Sequence, residues 1–109
     1  MSLDITIKEQ KEIRCPDCGK VVAYQDVAAE DSGGSAWYDF LERVGYYVPA
    51  EKRTEKDDWY GKDMLLSTEQ ARQLAVYAAR YRVYNYDAVN RLIVKAQMQG
   101  NRIAINADW

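Results

Sequence analysis

The chain of 109 residues has no histidine, only two cysteines and two prolines, and no long apolar run. Without imidazole it cannot by itself supply a histidine base, a histidine-containing catalytic triad or a histidine zinc ligand. Its apolar runs are far shorter than the roughly 20 residues of a membrane-spanning helix. No basic leader precedes an apolar stretch either. These absences predict an intracellular, cytoplasmic protein with no membrane partner.

Apolar residues make up 48% and charged residues 29% of the chain, which is typical of a folded globular protein. The length suits one core, so we expect residues 1–109 to form a single small domain. Residues 1–3 resemble an expression leader and are left out of the predicted fold. The net charge of −2 is unevenly distributed along the chain. Residues 1–66 carry 9 basic and 14 acidic side chains, whereas residues 67–109 carry 6 basic and 3 acidic ones. The C-terminal part is the more positive half.

Two apolar segments near the N-terminus predict a β-hairpin. Apolar and polar residues alternate over 5–7 and again over 13–15, as on a half-buried strand. We interpret the charged residues 9–12 between them as a turn. The apolar residues 21–24 are the expected return strand. The polar, glycine-containing segment 26–35 predicts a loop.

Four apolar residues at helical spacing predict the first helix. They occupy positions i, i+3, i+4 and i+7 and therefore share one face: Trp37, Phe40, Leu41 and Val44. Ser35 is the expected N-cap, and Gly45 is placed to end the helix in a left-handed conformation. The periodicity is lost between Tyr46 and Leu66, where we expect an irregular and largely exposed connection.

Two more helices and a strand complete the predicted fold. Ser67 and Gln70 fit a capping box that begins the second helix. Its buried stripe is expected to comprise Ala71, Leu74, Ala75, Ala78 and Tyr81. The third helix is predicted from about Asn85 to Gly100, and residues 102–106 alternate again as a short strand. The predicted class is α+β, with an N-terminal β-hairpin, three helices and a short C-terminal strand joining the sheet.

The segment Cys15-Pro16-Asp17-Cys18-Gly19-Lys20 lies at the predicted hairpin tip. It resembles one knuckle of a zinc-ribbon or rubredoxin-like site. In such knuckles two thiolates point the same way, while turn amides face the sulfurs and favour their ionised form. The resemblance implies that Cys15 and Cys18 bind Zn²⁺. It covers six residues only, and the rest of the chain has no cysteine or histidine to complete a four-ligand site.

Three interpretations of this knuckle remain open. The turn can persist for its geometry alone, without metal. Two copies related by a twofold axis can clamp one Zn²⁺ with four thiolates, and a carboxylate such as Asp17 can contribute. A Cys-x-x-Cys redox pair is the third interpretation, although redox motifs usually open a helix, whereas Gly19 and Lys20 lead into a strand.

Basic and aromatic side chains alternate in the more positive half of the chain. The set comprises Tyr77, Arg80, Tyr81, Arg82 and Tyr84, and Tyr86 follows it. Single-stranded nucleic acid is bound by such mixtures, because rings stack on bases and guanidinium groups contact phosphates. Tyrosines at helical spacing also pack against neighbouring elements, so a structural role explains the same pattern.

Two other groups of residues carry weaker signals. Residues 32–35 precede a predicted helix and offer backbone amides to an anion, but they lack a P-loop pattern, and a helix-capping role explains them better. Asp57, Asp58 and Asp63 are close in sequence, but nothing fixes their geometry around a cation, and we assign no site there.

Nine tyrosines and three tryptophans are many for so small a domain. Tyr and Trp anchor protein interfaces, so we expect a homo-oligomer or a protein partner, although rim packing on a monomer explains the same counts. No nucleophile has an evident base beside it, and no cofactor motif is present. The sequence favours a non-catalytic, bacterial-type interaction module that self-associates. A nucleic-acid accessory protein is the alternative, followed by an enzyme without histidine.

Overall fold

The structure is a computed structural model that describes residues 3–52, 54 and 59–109. Its strands are β1 (Asp4–Arg14), β2 (Val21–Gly33), β3 (Met64–Leu66) and β4 (Arg102–Asp108). Its α-helices are α1 (Trp37–Arg43), α2 (Thr68–Tyr81) and α3 (Tyr86–Gln99), and a short 3₁₀ helix spans Ala50–Lys52. The predicted α+β class is confirmed, including the N-terminal hairpin and the C-terminal strand that joins the sheet.

The four strands form one antiparallel sheet in the order β2-β1-β4-β3. Only the Asp4–Gln10 part of β1 pairs with β4. Beyond Gln10, β1 and β2 continue as a two-stranded ribbon that carries the tip. We call residues 11–25 the arm. The sheet therefore presents the two cysteines at the end of an extension that the rest of the sheet does not flank.

The hairpin is longer than the sequence predicts. The turn expected at residues 9–12 is wrong, because β1 continues through it with a register shift between Glu9 and Gln10. The loop expected at residues 26–35 is also wrong, because β2 continues to Gly33. Both segments are polar, but pairing between β1 and β2 satisfies their backbone groups and overrides the local preference.

The two long helices cover one face of the sheet. Helix α3 contacts β1, β2 and β4, and α2 contacts β3 and β4. Alternate strand residues point into the core between these layers, namely Ile5, Ile7, Ile103 and Ile105. Leu3 also belongs to this core and is only 1% exposed, so leaving it out of the predicted fold was wrong. Among the described residues, no helix is long and apolar enough to cross a membrane.

The first helix buries the predicted face but begins differently. Trp37, Phe40 and Leu41 are buried, with Val44 packed against them. Ala36 occupies the N-cap position and no side chain caps the helix, so the N-cap expected at Ser35 is wrong. Residue Gly45 follows the helix with φ of 82°, as predicted.

The connection after α1 is more ordered than expected. Tyr46 is fully buried, and the segment contains the 3₁₀ helix and strand β3. The Tyr46 hydroxyl accepts the N–H of Ala107, and its single proton is shared between the carbonyls of Lys62, at 2.7 Å, and Ala107, at 3.1 Å. The expectation of a largely exposed connection is therefore wrong at Tyr46. A tertiary polar anchor secures this stretch, and such an anchor leaves no periodic signal in the sequence.

The second and third helices match the predicted elements. The Gln70 N–H donates to Ser67 Oγ at 3.1 Å, and the Ser67 N–H donates to Gln70 Oε1 at 2.9 Å, which confirms the capping box. Helix α3 ends at Gly100 in the left-handed conformation, as expected. The buried stripe of α2 differs at its end, where Tyr77 is buried and Tyr81 is half exposed. Tyr77 is drawn inward because its ring packs against those of Trp37 and Phe40.

Candidate functional site

The tip of the arm is a tight, hydrogen-bonded turn. The Cys15 N–H donates to the Lys20 carbonyl at 2.8 Å, and the Gly19 N–H donates to the Cys15 carbonyl at 2.8 Å. Gly19 has φ of 75°, in the left-handed region that glycine adopts without a steric penalty. The proline, aspartate and glycine of the motif thus form the turn that the sequence predicts.

The same turn surrounds the sulfur of Cys15 with donors. Cys15 and Cys18 lie 3.5 Å apart, and both are free thiols. Hydrogen bonds from the backbone N–H groups of Asp17 and Cys18, and one from the Cys18 side chain, lower the pKa of Cys15 below its ordinary value. Cys15 is partly exposed and Cys18 is exposed. The turn therefore favours a thiolate at an accessible position.

The donor set fits half of a tetrahedral zinc site. Among the described residues, no three His, Cys, Asp or Glu side chains are grouped so that they could hold a metal ion. Asp17 therefore adds no third ligand to the two cysteines. Structural zinc sites are almost always four-coordinate, so a metal bound here needs two further donors from outside the described part of this chain.

Contacts at its base hold the arm against the sheet. The guanidinium of Arg102 lies over the Tyr24 ring, and its Nε donates to Gln10 Oε1 at 2.8 Å. Gln10 in turn donates to the Asp26 carboxylate at 2.8 Å. Further out, the apolar side chains of Ile13 and Val22 are exposed. The arm thus has an ordered base and an open outer part.

A second candidate site lies between α1 and α2. Its lining includes three arginines, two tyrosines and one glutamate: Arg43, Arg72, Arg80, Tyr77, Tyr81 and Glu69. We call this the basic groove, and its volume is about 380 Å³. It brings together Tyr77, Arg80 and Tyr81 of the predicted nucleic-acid set. Sequence reasoning missed Arg43 and Arg72. Arg72 shares a helix with Arg80, but nothing in the sequence places Arg43 on an opposing wall.

The two tyrosines of the basic groove have different surroundings. The Tyr77 hydroxyl donates to the Ala36 carbonyl, and burial raises its pKa. Tyr81 is 50% exposed, and its ring centre is 4.6 Å from that of Tyr77. Tyr77 is thus part of the groove floor, while Tyr81 offers an accessible ring surface.

The remaining predicted nucleic-acid residues lie beyond the groove lining. Arg82 is the left-handed C-cap of α2, with φ of 46°, and its side chain is exposed. Tyr84 is 74% exposed, and its carbonyl accepts a hydrogen bond from the Ser32 hydroxyl. Tyr86 packs partly against the core. These three residues belong to the turn between α2 and α3 and to the start of α3.

The two weaker sequence candidates have structural partners instead. Ser32 is buried, and its hydroxyl accepts from the Trp37 indole N–H. Asp63 accepts hydrogen bonds from Lys8 and Asn106. Asp57 and Asp58 lie outside the described residues. These contacts give Ser32 and Asp63 structural roles in the fold.

Comparison with protein-family models, with curated proteins and with solved structures finds no match to this chain. Function is therefore argued from the residues themselves. The described structure offers two chemically distinct features, a pair of thiols at the tip of the arm and a groove lined by arginine and tyrosine.

Proposed function

We propose that the chain is a non-catalytic interaction module that self-associates through the tip of its arm. Cys15 and Cys18 of two copies would together hold one Zn²⁺. The observation that carries this proposal is the pair of free cysteines, 3.5 Å apart in a hydrogen-bonded turn at the accessible tip of the arm. The proposal places the protein in the cytoplasm, where a reducing environment keeps such thiols free to bind metal.

The donor count supports a site shared between copies. One knuckle supplies two thiolates, and a twofold axis through the metal supplies two identical ones. Because the arm extends beyond β4, its tip is not flanked by that strand and is accessible to the tip of a second copy. When bound, Zn²⁺ would cross-link four thiolates and contribute its binding free energy to association.

Two observations weigh against the other interpretations of the knuckle. A redox pair usually draws its low thiol pKa from a helix N-terminus, whereas this turn leads directly into β2 at Val21. A turn kept for shape alone has no need of amides directed at a sulfur or of a second thiol beside it. Both features are what a thiolate ligand pair requires.

Native mass spectrometry of protein purified at neutral pH with zinc tests the proposal. We expect a dimer with one zinc ion for two chains, and metal-free monomers after treatment with a strong chelator. Cys15→Ser and Cys18→Ser should each abolish both zinc binding and dimerisation. Both positions are on the surface of the tip, so circular dichroism should show an unchanged fold.

Lys20→Ala is the matched control, because it alters an exposed side chain of the same turn without removing a thiol. It should retain zinc and the dimer. Zinc-free monomers in the presence of excess metal would contradict the proposal. So would one zinc ion fully bound by a single chain, or a dimer that survives both the chelator and the cysteine substitutions.

A further inference from the structure

A second binding activity, independent of the thiols, is indicated by the basic groove. We propose that this groove binds single-stranded nucleic acid, with a base stacked on Tyr81 and phosphates held by Arg43, Arg72 and Arg80. The site lies on α1 and α2, whereas the proposed metal ligands lie at the tip of the arm. The two proposals can therefore fail separately.

The charge of the groove favours an anion. The lining of the groove contains three guanidinium groups and one carboxylate, that of Glu69. The Glu69 carboxylate is 3.8 Å from Arg72, and both side chains are largely exposed, so solvent weakens this pair. Within the described residues, neither Arg43 nor Arg80 forms an ion pair. Arginine suits phosphate because its planar fork donates two parallel hydrogen bonds.

The aromatic rings favour a nucleotide over a simple anion. Tyr81 is half exposed, and the Arg80 guanidinium lies 5.8 Å from its ring centre. Tyr77 supports Tyr81 from the groove floor, so the accessible ring is backed by the core. Base stacking on such a ring tolerates any sequence, because every base has a π face. A groove of about 380 Å³ is in the range of small-ligand sites.

A strand fits better than an isolated nucleotide because the arginines are spread along the groove. Arg72 and Arg80 are separated by two turns of α2, and Arg43 lies on α1. The two turns put the Cα atoms of Arg72 and Arg80 about 12 Å apart, a spacing that suits successive phosphates of a strand. The chain as a whole is acidic, with a net charge of −2. Binding should therefore be local to the groove rather than a general coating of the surface.

The test is fluorescence anisotropy with the full chain and a labelled oligothymidylate of about ten nucleotides, across a salt series. Three phosphate contacts predict a slope of about −2 in log K against log salt. Affinity should fall about 20-fold between roughly 50 and 200 mM salt. Arg72→Gln with Arg80→Gln should flatten the slope by more than half. Tyr81→Ala should weaken binding about tenfold with little change in slope.

Arg91→Gln is the matched control, because it removes an exposed arginine from α3. It should leave affinity and slope close to those of the unchanged protein. The proposal is overturned by the absence of binding at low salt, or by groove variants that bind like the control. Competition by thymidine monophosphate distinguishes binding of a strand from binding of a single nucleotide. Competition by the mononucleotide at the affinity of the oligonucleotide would overturn the assignment to a strand.

Discussion

The guanidinium carbon of Arg102, the first residue of β4, lies 3.1 Å from the centre of the Tyr24 ring, and this contact joins β4 to the arm. A two-stranded ribbon is only marginally stable by itself in water. Arg102 covers the single aromatic side chain of the arm, that of Tyr24, and also donates to Gln10, where the ribbon leaves the sheet. A residue near the C-terminus thus helps to set the position of the two cysteines.

Loss of this anchor should loosen the arm. In Arg102→Ala, amide hydrogen exchange of Glu12 and Tyr24 should become roughly fivefold faster, because a cation–π contact contributes about 1 kcal/mol. Exchange at Ile5, in the core of the sheet, should change little. Arg91→Ala on α3 is the control and should leave the arm unaffected. Unchanged exchange in the arm of Arg102→Ala would contradict the anchoring role.

The conformation of Gly19 should matter for metal binding. Its φ of 75° strains any residue with a Cβ, although no atom lies near the added group. Gly19→Ala should cost about 1–2 kcal/mol in the knuckle conformation, and so weaken zinc binding roughly tenfold in competition with a chromophoric chelator. Lys20→Ala should bind zinc normally. Equal affinities of the two variants would show that the turn does not preorganise the thiols.

Removal of the Tyr46 hydroxyl should destabilise the whole domain. The hydroxyl accepts a hydrogen bond from the Ala107 N–H, and the carbonyls of Ala107 and Lys62 accept from the hydroxyl. Tyr46→Phe leaves these groups without that partner, at a cost of about 2–3 kcal/mol in the free energy of unfolding. Urea denaturation measures the loss. Tyr60→Phe, at an exposed tyrosine, should change stability by less than about 0.5 kcal/mol.

The contribution of Tyr46 should also depend on pH. Burial raises the pKa of this hydroxyl, and nearby Asp63 and Asp108 add to the effect. A tyrosine with a raised pKa in the folded state stabilises the protein fully below its unfolded pKa of about 10, and loses this effect as pH rises through the folded value. The difference in unfolding free energy between unchanged protein and Tyr46→Phe should therefore shrink above about pH 10. A constant difference would contradict this account.

The capping box at α2 offers a paired comparison. Ser67→Ala removes the acceptor for the Gln70 N–H and should cost about 1 kcal/mol of unfolding free energy. Ser35→Ala serves as the control, because α1 has no side-chain cap. Thermal or urea denaturation should show the loss only in Ser67→Ala. Equal losses in the two variants would contradict the attribution of the loss in Ser67→Ala to its side-chain cap.

The Asp63 carboxylate links β1 and β4 on the sheet face opposite the helices. Burial alone would raise its pKa, but hydrogen bonds from Asn106 and Lys8, with the charge of Lys8, lower it below the ordinary value. Its stabilising effect is therefore present above the unfolded pKa of about 3.9 and is lost as pH falls through the folded value.

Asp63→Asn should consequently lower stability near neutral pH and reduce the further loss on acidification. Urea unfolding at several acidic pH values measures both effects. The carboxylate is partly exposed, so the change should be smaller than that of Tyr46→Phe. An acid dependence of Asp63→Asn identical to that of the unchanged protein would contradict this role.

Local patterns were sufficient to locate the three helices. The spacing of apolar residues in α1 and α3, the capping box at Ser67 and the glycines at helix ends depend on contacts within a few residues. The turn of the knuckle is equally local, because its proline, aspartate and glycine act through their own backbone preferences. These features could be predicted because sequence neighbours interact in nearly the same way in any surrounding structure.

The basic groove could be predicted only in part. The alternation of basic and aromatic residues predicts Tyr77, Arg80 and Tyr81 as members of one set, but their division into floor and exposed surface depends on the packing of α1. Arg43 is far from them in sequence, and only the approach of α1 to α2 places it in the same groove. The anchoring of the arm by Arg102 depends likewise on the pairing of the first and last strands.

Sequence patterns alone establish the α+β class, the three helices and a pair of thiols with no further cysteine or histidine in the chain. Folding sets how far the strands extend, that Tyr77 rather than Tyr81 is buried, and which arginines share a groove. The difference lies in the range of the interactions. Helix periodicity and turn geometry arise within a few residues, whereas strand pairing and helix packing join groups that only the folded chain brings together.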